Sequence, residues 1–396
     1  MIAGMSDTAD GIDDTTAGDE RPGSTADGTH LPTPRERRLA AWREAPRVLA
    51  RLGFLAPLSQ RLALLEAAGE VYDLDEDSDL YGNGVVAALE QRVAGLLGTQ
   101  DAAFFPTGTM AQQVALRCWA GRTGDPTVAL HPLSHPEVHE RGAFSQVSGL
   151  RPVRVTSEPR LPTAEEVRDF EEPFGALMLE LPLRDAGFVL PTWEELTEVV
   201  DAAREREAVV HFDGARLWEC AAGYGRSYAE ICAGFDSCYV SFYKGIGALS
   251  GAMLLGQRDF IDEAIVWQRR SGGNLYTLAP SIASAAMLLD RRLARMKAYY
   301  QRARRIAEIL GAIGGVSILP APPQVNMMHV FLALDPEAAM EARDRVAEES
   351  GIWLFGAARP AAVPGHSRFE LYVGEAAMAL DDAEIEAALR SLMGHS

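Results

Sequence analysis

Alternation sorts this chain into a fold class. Short apolar runs at residues 102–105, 177–180, 208–212 and 237–242 are separated by amphipathic, helix-like stretches. Small polar turns close several of these runs, and beyond about residue 288 the pattern changes. Together these features predict an α/β protein. Its large domain carries a largely parallel sheet covered on both faces, and a compact α+β domain follows.

Residues 1–30 are rich in Gly, Asp, Thr and Ala and nearly lack large apolar groups. Such a segment cannot bury enough surface to offset its ordering entropy, so an acidic disordered tail is expected. Arg35 to Ala68 reads as helices, with Leu49, Leu52, Leu55 and Leu58 near one face and Pro57 separating two of them. From Val85, the residues Val86, Leu89, Val93 and Leu96 fall at helical spacing, and Gly98 is a candidate C-cap. Ala102-Ala103-Phe104-Phe105 reads as a buried strand, Thr107-Gly108-Thr109 as a turn, and Met110 to Trp119 as a helix. Strands follow at Leu177–Glu180, Ala208–Phe212 and Ser237–Phe242, with a helix over Trp193–Glu207. Leu288 to Leu310 reads as one long connector helix. The remainder holds strands at Val330–Leu332, Ile352–Leu354 and Phe369–Val373, a helix near Glu337–Glu349 and a last one from Asp382. The expected domains are a tail (1–30), a helical segment (31–80), a large domain (81–287), and a connector with the small domain (288–396).

Bulk properties narrow the function. The chain has 396 residues, 47% of them hydrophobic, which is ample for a core. A net charge of -19 argues against nucleic acid or an anionic membrane as partner. No run is long and apolar enough to cross a membrane. Cys118, Cys220, Cys232 and Cys238 lack metal-type spacing and read as buried thiols of a reducing compartment. A cytoplasmic enzyme without a metal is the expectation.

The chemistry concentrates in two segments. Lys244 lies in Ser241-Phe242-Tyr243-Lys244-Gly245-Ile246-Gly247, an apolar, glycine-rich setting unlike that of a solvated surface lysine. There its amine can form an imine with an aldehyde coenzyme. Asp213, in His211-Phe212-Asp213-Gly214-Ala215-Arg216, ends an apolar strand. A carboxylate there can pair with a ring nitrogen and keep it protonated. The pair points to pyridoxal 5'-phosphate (PLP), which stabilises carbanions while the protein positions it. Arg216 can contact the ring hydroxyl or a substrate carboxylate, or form a structural ion pair. Thr107-Gly108-Thr109 opens a helix where free N–H groups attract phosphate. Alone the tripeptide reads as an ordinary N-cap; beside the downstream Lys and Asp, phosphate binding is the better reading. An imidazole at His135 can stack on a pyridine ring. A surface-loop histidine explains it equally well, and His131 and His139 compete closely. Arg368 enters a C-terminal strand, where a guanidinium can grip an α-carboxylate with two hydrogen bonds.

Several segments in order resemble the threonine aldolases of the β-eliminating lyase group. They are Asp79-Leu80-Tyr81-Gly82, Leu89-Glu90, Phe105-Pro106-Thr107-Gly108-Thr109-Met110-Ala111, Ser134-His135, His211 to Arg216, Lys244-Gly245-Ile246-Gly247-Ala248, Gln324-Val325-Asn326 and Arg368. The resemblance covers roughly residues 65–390 by eye. It implies the fold-type-I, aspartate-aminotransferase-like architecture, with a mostly parallel seven-stranded sheet in the large domain and a small α+β C-terminal domain. It implies that Gly108 and Thr109 hold the phosphate, His135 stacks on the ring, Asp213 binds the ring nitrogen and Lys244 forms the internal imine. Arg216 and Arg368 would orient coenzyme and substrate carboxylate. Family enzymes cleave β-hydroxy-α-amino acids to glycine and an aldehyde. They assemble as dimers or tetramers with sites at the subunit interface.

The departures fall on substrate-facing positions. The family's Arg-Ser-Asp-Thr opening is not evident. Glu180-Leu181-Pro182-Leu183 stands where the family has Glu-Asn-Thr-His, so that histidine is missing. Gly272-Gly273-Asn274-Leu275-Tyr276-Thr277 replaces a Gly-Gly-Gly-Met-Arg-Gln segment, and Tyr243 replaces a serine. The expected activity is therefore aldolase-type carbon–carbon cleavage, with His135 or a water it holds as base. The alternatives are β-elimination on the same frame and a silent homologue, which Lys244 and Asp213 speak against.

Overall fold

The computed structural model describes residues 45, 47–50, 59, 62–63, 65, 67–73, 75 and 79–395. The expected tail, and most of the expected N-terminal helical segment, lie outside the described residues. Leu52–Lys297 form one compact unit. Ala298–Ser396, with the described residues before Leu52, form the other.

The larger unit is built on seven strands: β1 (Asp101–Phe105), β2 (Thr127–Leu130), β3 (Arg151–Arg154), β4 (Ala176–Glu180), β5 (Val209–Gly214), β6 (Ser237–Ser241) and β7 (Ala252–Gly256). Their order across the sheet is β1-β7-β6-β5-β4-β2-β3. The run from β6 to β3 is parallel, and β7 is antiparallel to both of its neighbours. This is the fold-type-I sheet expected. Strands β4, β6 and β7 are buried along their whole length, and β4 and β6 read as apolar runs in the sequence. Three strands carried weaker signals. β3 is an edge strand of sequence Arg-Pro-Val-Arg, and an edge is where a sheet tolerates proline.

Helices cover the sheet. Helix α1 (Val85–Leu97) ends at Gly98 in the left-handed conformation, as its sequence predicts. Helix α2 (Gly108–Thr123) and helix α6 (Arg258–Arg270) pack with β1, β6 and β7 in one apolar cluster, where Trp119 stacks on Phe260 at 4.6 Å. Between them come α3 (His135–His139), α4 (Trp193–Glu205) and α5 (Leu217–Tyr224). A capping box at Thr192 and Glu195 starts α4.

The expected single helix over Leu288–Leu310 is two, Ala279–Leu293 and Met296–Gly311. Ala294 still bonds to Asp290, but Arg295 bonds back to Arg292, so the ladder tightens and stops. No Gly or Pro marks the break in sequence.

The smaller unit holds a four-stranded antiparallel sheet of β8 (Val316–Leu319), β9 (Met327–Leu332), β10 (Arg359–Pro360) and β11 (Ser367–Tyr372), in the order β10-β11-β9-β8. Helices Pro336–Ser350 and Asp382–Leu392 contribute to its core. Within the stretch expected to be helical, Arg47–Val48 instead forms a short strand parallel to Ile352–Trp353. The Arg47 and Leu49 N–H groups bond to Gly351 and Trp353 carbonyls, and Leu49 is buried in this unit's core. Tertiary pairing overrides the helical expectation at Arg47–Leu49; Leu52, Leu55 and Leu58 lie outside the described residues.

Candidate active site

The carboxyl ends of parallel strands converge where α/β proteins bind ligands. Asp213 near the end of β5 and Glu180 at the end of β4 are Cα partners, and both are buried. Asp213 accepts a hydrogen bond from the Ala215 N–H at 3.1 Å. Burial pushes its pKa up, while the positive charges of Lys244 and His135 pull it down. Glu180 accepts from the His135 N–H at 2.6 Å and the Arg184 N–H at 3.2 Å. Burial and neighbouring Asp213 push its pKa upward.

Lys244 follows β6 on a turn closed by two hydrogen bonds. The Phe242 N–H donates to the Gly251 carbonyl at 3.0 Å and the Ala248 N–H to the Phe242 carbonyl at 2.9 Å. Lys244 Nζ lies 5.7 Å from the Tyr243 ring centroid. Its charge is felt at Asp213 and at Glu219, an acid on α5 that is 2% exposed and whose pKa burial raises. A Cβ on Gly245 would meet the Glu219 carboxylate, so the lysine turn sits close against that helix. Arg216 is buried just before α5, its Nη1 3.8 Å from Glu219 Oε1.

His135 opens α3, with its Nδ1 3.3 Å from Glu140 Oε1. Glu140 also raises the pKa of Asp213, which places all three groups in one cluster. The His135 and His139 rings are 5.1 Å apart, and His139 Nε2 lies 2.8 Å from Asp185 Oδ2. His131 is built into the scaffold instead. Its Nε2 bonds to the Glu158 carbonyl at 2.7 Å, its Nδ1 accepts from the Leu133 N–H at 2.9 Å, and burial lowers its pKa.

Thr107 caps α2, its hydroxyl accepting from the Met110 N–H at 3.2 Å. Helix geometry leaves the Gly108 and Thr109 N–H groups without intrahelical acceptors. A Cβ at Gly108 would collide with the Tyr239 phenol, and Tyr239 on β6 is the Cα partner of Asp213. The turn and the acid thus meet through one side chain. These residues suit the coenzyme: a helix start for phosphate, an amine for the aldehyde, and a buried acid for a cationic ring nitrogen.

The larger unit therefore brings together Lys244, Asp213, His135, Arg216, Gly108 and Thr109. Arg368 belongs to the smaller unit, on β11, with Nη1 3.3 Å from His329 Nδ1 of β9. Sequence reasoning missed Glu140, Glu219, Tyr239 and the His139–Asp185 pair. One signal was available: His135 and His139 are four apart and share a helix face.

The pattern of the β-eliminating lyase family matches residues 61–335. The chain belongs to this family. Among its family relatives, the low-specificity L-threonine aldolase of Escherichia coli (strain K12) is 31% identical over 269 residues, which span 66% of this chain and 79% of the relative. A solved structure from Listeria monocytogenes, provisionally named an L-allo-threonine aldolase, is 36% identical. It superposes with a TM-score of 0.85 over 90% of this chain and 98% of its own. Another, from Exiguobacterium sp. 255-15, is provisionally named an aromatic amino acid β-eliminating lyase/threonine aldolase. It is 36% identical with a TM-score of 0.84, over 90% of this chain and 99% of its own.

Proposed function

We propose that the protein is a PLP-dependent lyase that cleaves threonine-like β-hydroxy-α-amino acids to glycine and an aldehyde. The observation that carries this is the cluster of Lys244, His135 and the buried Asp213 at the strand ends of a β-eliminating lyase fold. When bound, the coenzyme supplies an electron sink for the carbon whose bond breaks. Lys244 would hold its aldehyde, Gly108 and Thr109 its phosphate, Asp213 its ring nitrogen and His135 its ring face. The chain's own groups do the rest. Asp213 favours a positive charge at the ring nitrogen. Glu219 orients Arg216 close to the lysine turn. Lys244, once released from the coenzyme, is an amine able to carry a proton. Arg368 is assigned to the substrate carboxylate on the resemblance alone.

Among the described residues no helix is long and apolar enough to cross a membrane. We further infer a homodimer or homotetramer working in the cytoplasm. The family resemblance supports the assembly, and four buried, unpaired cysteines suit a reducing compartment. The test is product analysis with L-threonine, L-allo-threonine and an aryl serine. Glycine and the matching aldehyde support the reading. A keto acid with ammonia and no glycine would overturn it in favour of β-elimination.

A further inference from the structure

Tyr239 keeps its apolar body and its polar tip in different places. The ring belongs to the apolar cluster with Ala103, Phe105, Ala111 and Ala215, and the residue is 3% exposed. The hydroxyl sits at the start of α2, where Tyr239 Oη is the nearest atom that a Cβ on Gly108 would meet. Phenylalanine would serve the packing alone; a hydroxyl carried this deep needs partners. One is Tyr243. Burial pushes the Tyr239 pKa up, and the Tyr243 phenol, within hydrogen-bonding reach, raises it further. Tyr243 in turn lies beside the lysine, its ring centroid 5.7 Å from Lys244 Nζ. Two phenols thus run from the amine assigned to the coenzyme's aldehyde to the helix start assigned to its phosphate. We propose that they complete the phosphate site: the Tyr239 hydroxyl donates a hydrogen bond to the coenzyme phosphate at the Gly108–Thr109 turn, and Tyr243 positions that hydroxyl. This rests on the placement of the phosphate at that turn under the function proposed above.

Counting hydrogens sets the roles. Two phenols joined by one hydrogen bond keep one hydroxyl hydrogen for a third acceptor. With Tyr243 donating to Tyr239 Oη, the hydrogen left over is that of Tyr239, at the turn. A hydrogen bond donated to an anion is shorter and stronger than one between neutral groups. The free N–H groups of Gly108 and Thr109 approach a phosphate along the helix axis. The phenol adds a donor from β6, whose Tyr239 is the Cα partner of Asp213. Phosphate and ring nitrogen are thereby held from neighbouring strands of one rigid sheet.

The experiment titrates wild-type and Tyr239→Phe apoenzyme with two ligands, pyridoxal 5'-phosphate and pyridoxal. The second has the same ring and aldehyde but no phosphate. Phenylalanine keeps the ring in its apolar cluster and removes only the hydroxyl. Binding is read from visible absorbance and from quenching of tryptophan fluorescence. The expected result is a Kd for the phosphorylated coenzyme raised by about 10- to 100-fold, with the Kd for pyridoxal unchanged. The inhibition constant of inorganic phosphate, competing with the coenzyme for apoenzyme, should rise with it. Tyr243→Phe should show the same selective loss at smaller size, since it removes the support and not the donor. Wild-type affinity for the phosphorylated coenzyme in Tyr239→Phe overturns the proposal. So does an equal loss for both ligands, which would make the hydroxyl a structural group. Wild-type apoenzyme that binds pyridoxal as tightly as its phosphate overturns the placement of the phosphate at the turn, and the hydroxyl's role with it.

Discussion

His211 and Asp213 are two residues apart on one strand, equally buried, and surrounded in opposite ways. His211 is saturated. Its Nε2 lies 2.5 Å from Gln112 Oε1 and its Nδ1 2.7 Å from Ser237 Oγ, which also accepts from the Trp119 Nε1–H at 2.7 Å. Gln112 Oε1 only accepts, so the proton sits on Nε2 and Ser237 donates to Nδ1. Burial pushes the His211 pKa down to about 3, and the ring stays neutral. Asp213 sits among acids, with Glu180 beside it and Glu140 in reach, and cations act on it from Lys244 and His135. The first arrangement welds α2, β5 and β6. The second is electrostatically incomplete, and on the proposed function a cationic ring nitrogen would complete it. A residue's role here follows from how fully its environment satisfies it, not from how deeply it is buried.

That contrast yields opposite expectations for substitutions on its two sides. The largest effect belongs to the incomplete side. Lys244→Ala should remove the coenzyme's visible band and slow cleavage by at least ~10³-fold. Its melting temperature without coenzyme should match the wild type, read by circular dichroism. Asp213→Asn should slow cleavage by about 10²-fold or more, because nothing then holds a proton on the ring nitrogen. Without coenzyme this variant should melt no lower than wild type, since a buried acid among acids has been neutralised. A marked loss of stability in either variant would erase the contrast.

On the saturated side the loss should appear in folding. His211→Asn should lower stability at neutral pH by about 3 kcal/mol, because Gln112 and Ser237 lose buried partners. Below its melting temperature the variant should keep its coenzyme band. The pH dependence follows from a folded pKa near 3 against an ordinary value of 6.5. The unfolded chain takes up a proton that the folded protein refuses. The contribution is therefore complete above pH 6.5 and drains as pH falls toward 3, in total by as much as ~5 kcal/mol. Denaturant titrations at several pH values should show a flatter acid limb in His211→Asn than in wild type.

Legibility in the sequence follows the same division. Lys244 and Asp213 could be read because each is a charge placed at the end of an apolar run, a pattern that local sequence displays. Gly108 and Thr109 could be read because a strand turns into a helix there. The acids and histidines that complete the site could not. Asp185 reaches His139 across 46 residues, and Glu219 meets Gly245 only after a strand intervenes between them. Fold errors had a similar origin. Arg47–Val48 forms a strand because a distant segment offers its backbone, and the helix break at Ala294–Arg295 carries no residue that announces it. Even the saturated network was hidden, since His211, Gln112, Ser237 and Trp119 meet only when α2 lies across β5 and β6.

The finest division falls within that network. Trp119→Phe keeps an aromatic ring against Phe260, the stack now at 4.6 Å, and deletes only the indole N–H. Ser237 would lose one donor to its oxygen while still donating to His211, so no group is stripped of every partner. The expected cost is about 1 kcal/mol, that of one ordinary hydrogen bond, against about 3 kcal/mol for His211→Asn, where two partners are orphaned. Urea midpoints of the two single variants and the double variant measure this. If the network acts as a unit, the double variant should lose less than the sum of the singles, because Trp119 has less to support once His211 is gone. Full additivity would mean that the hydrogen bonds are independent contacts and that the saturation of His211 holds nothing together.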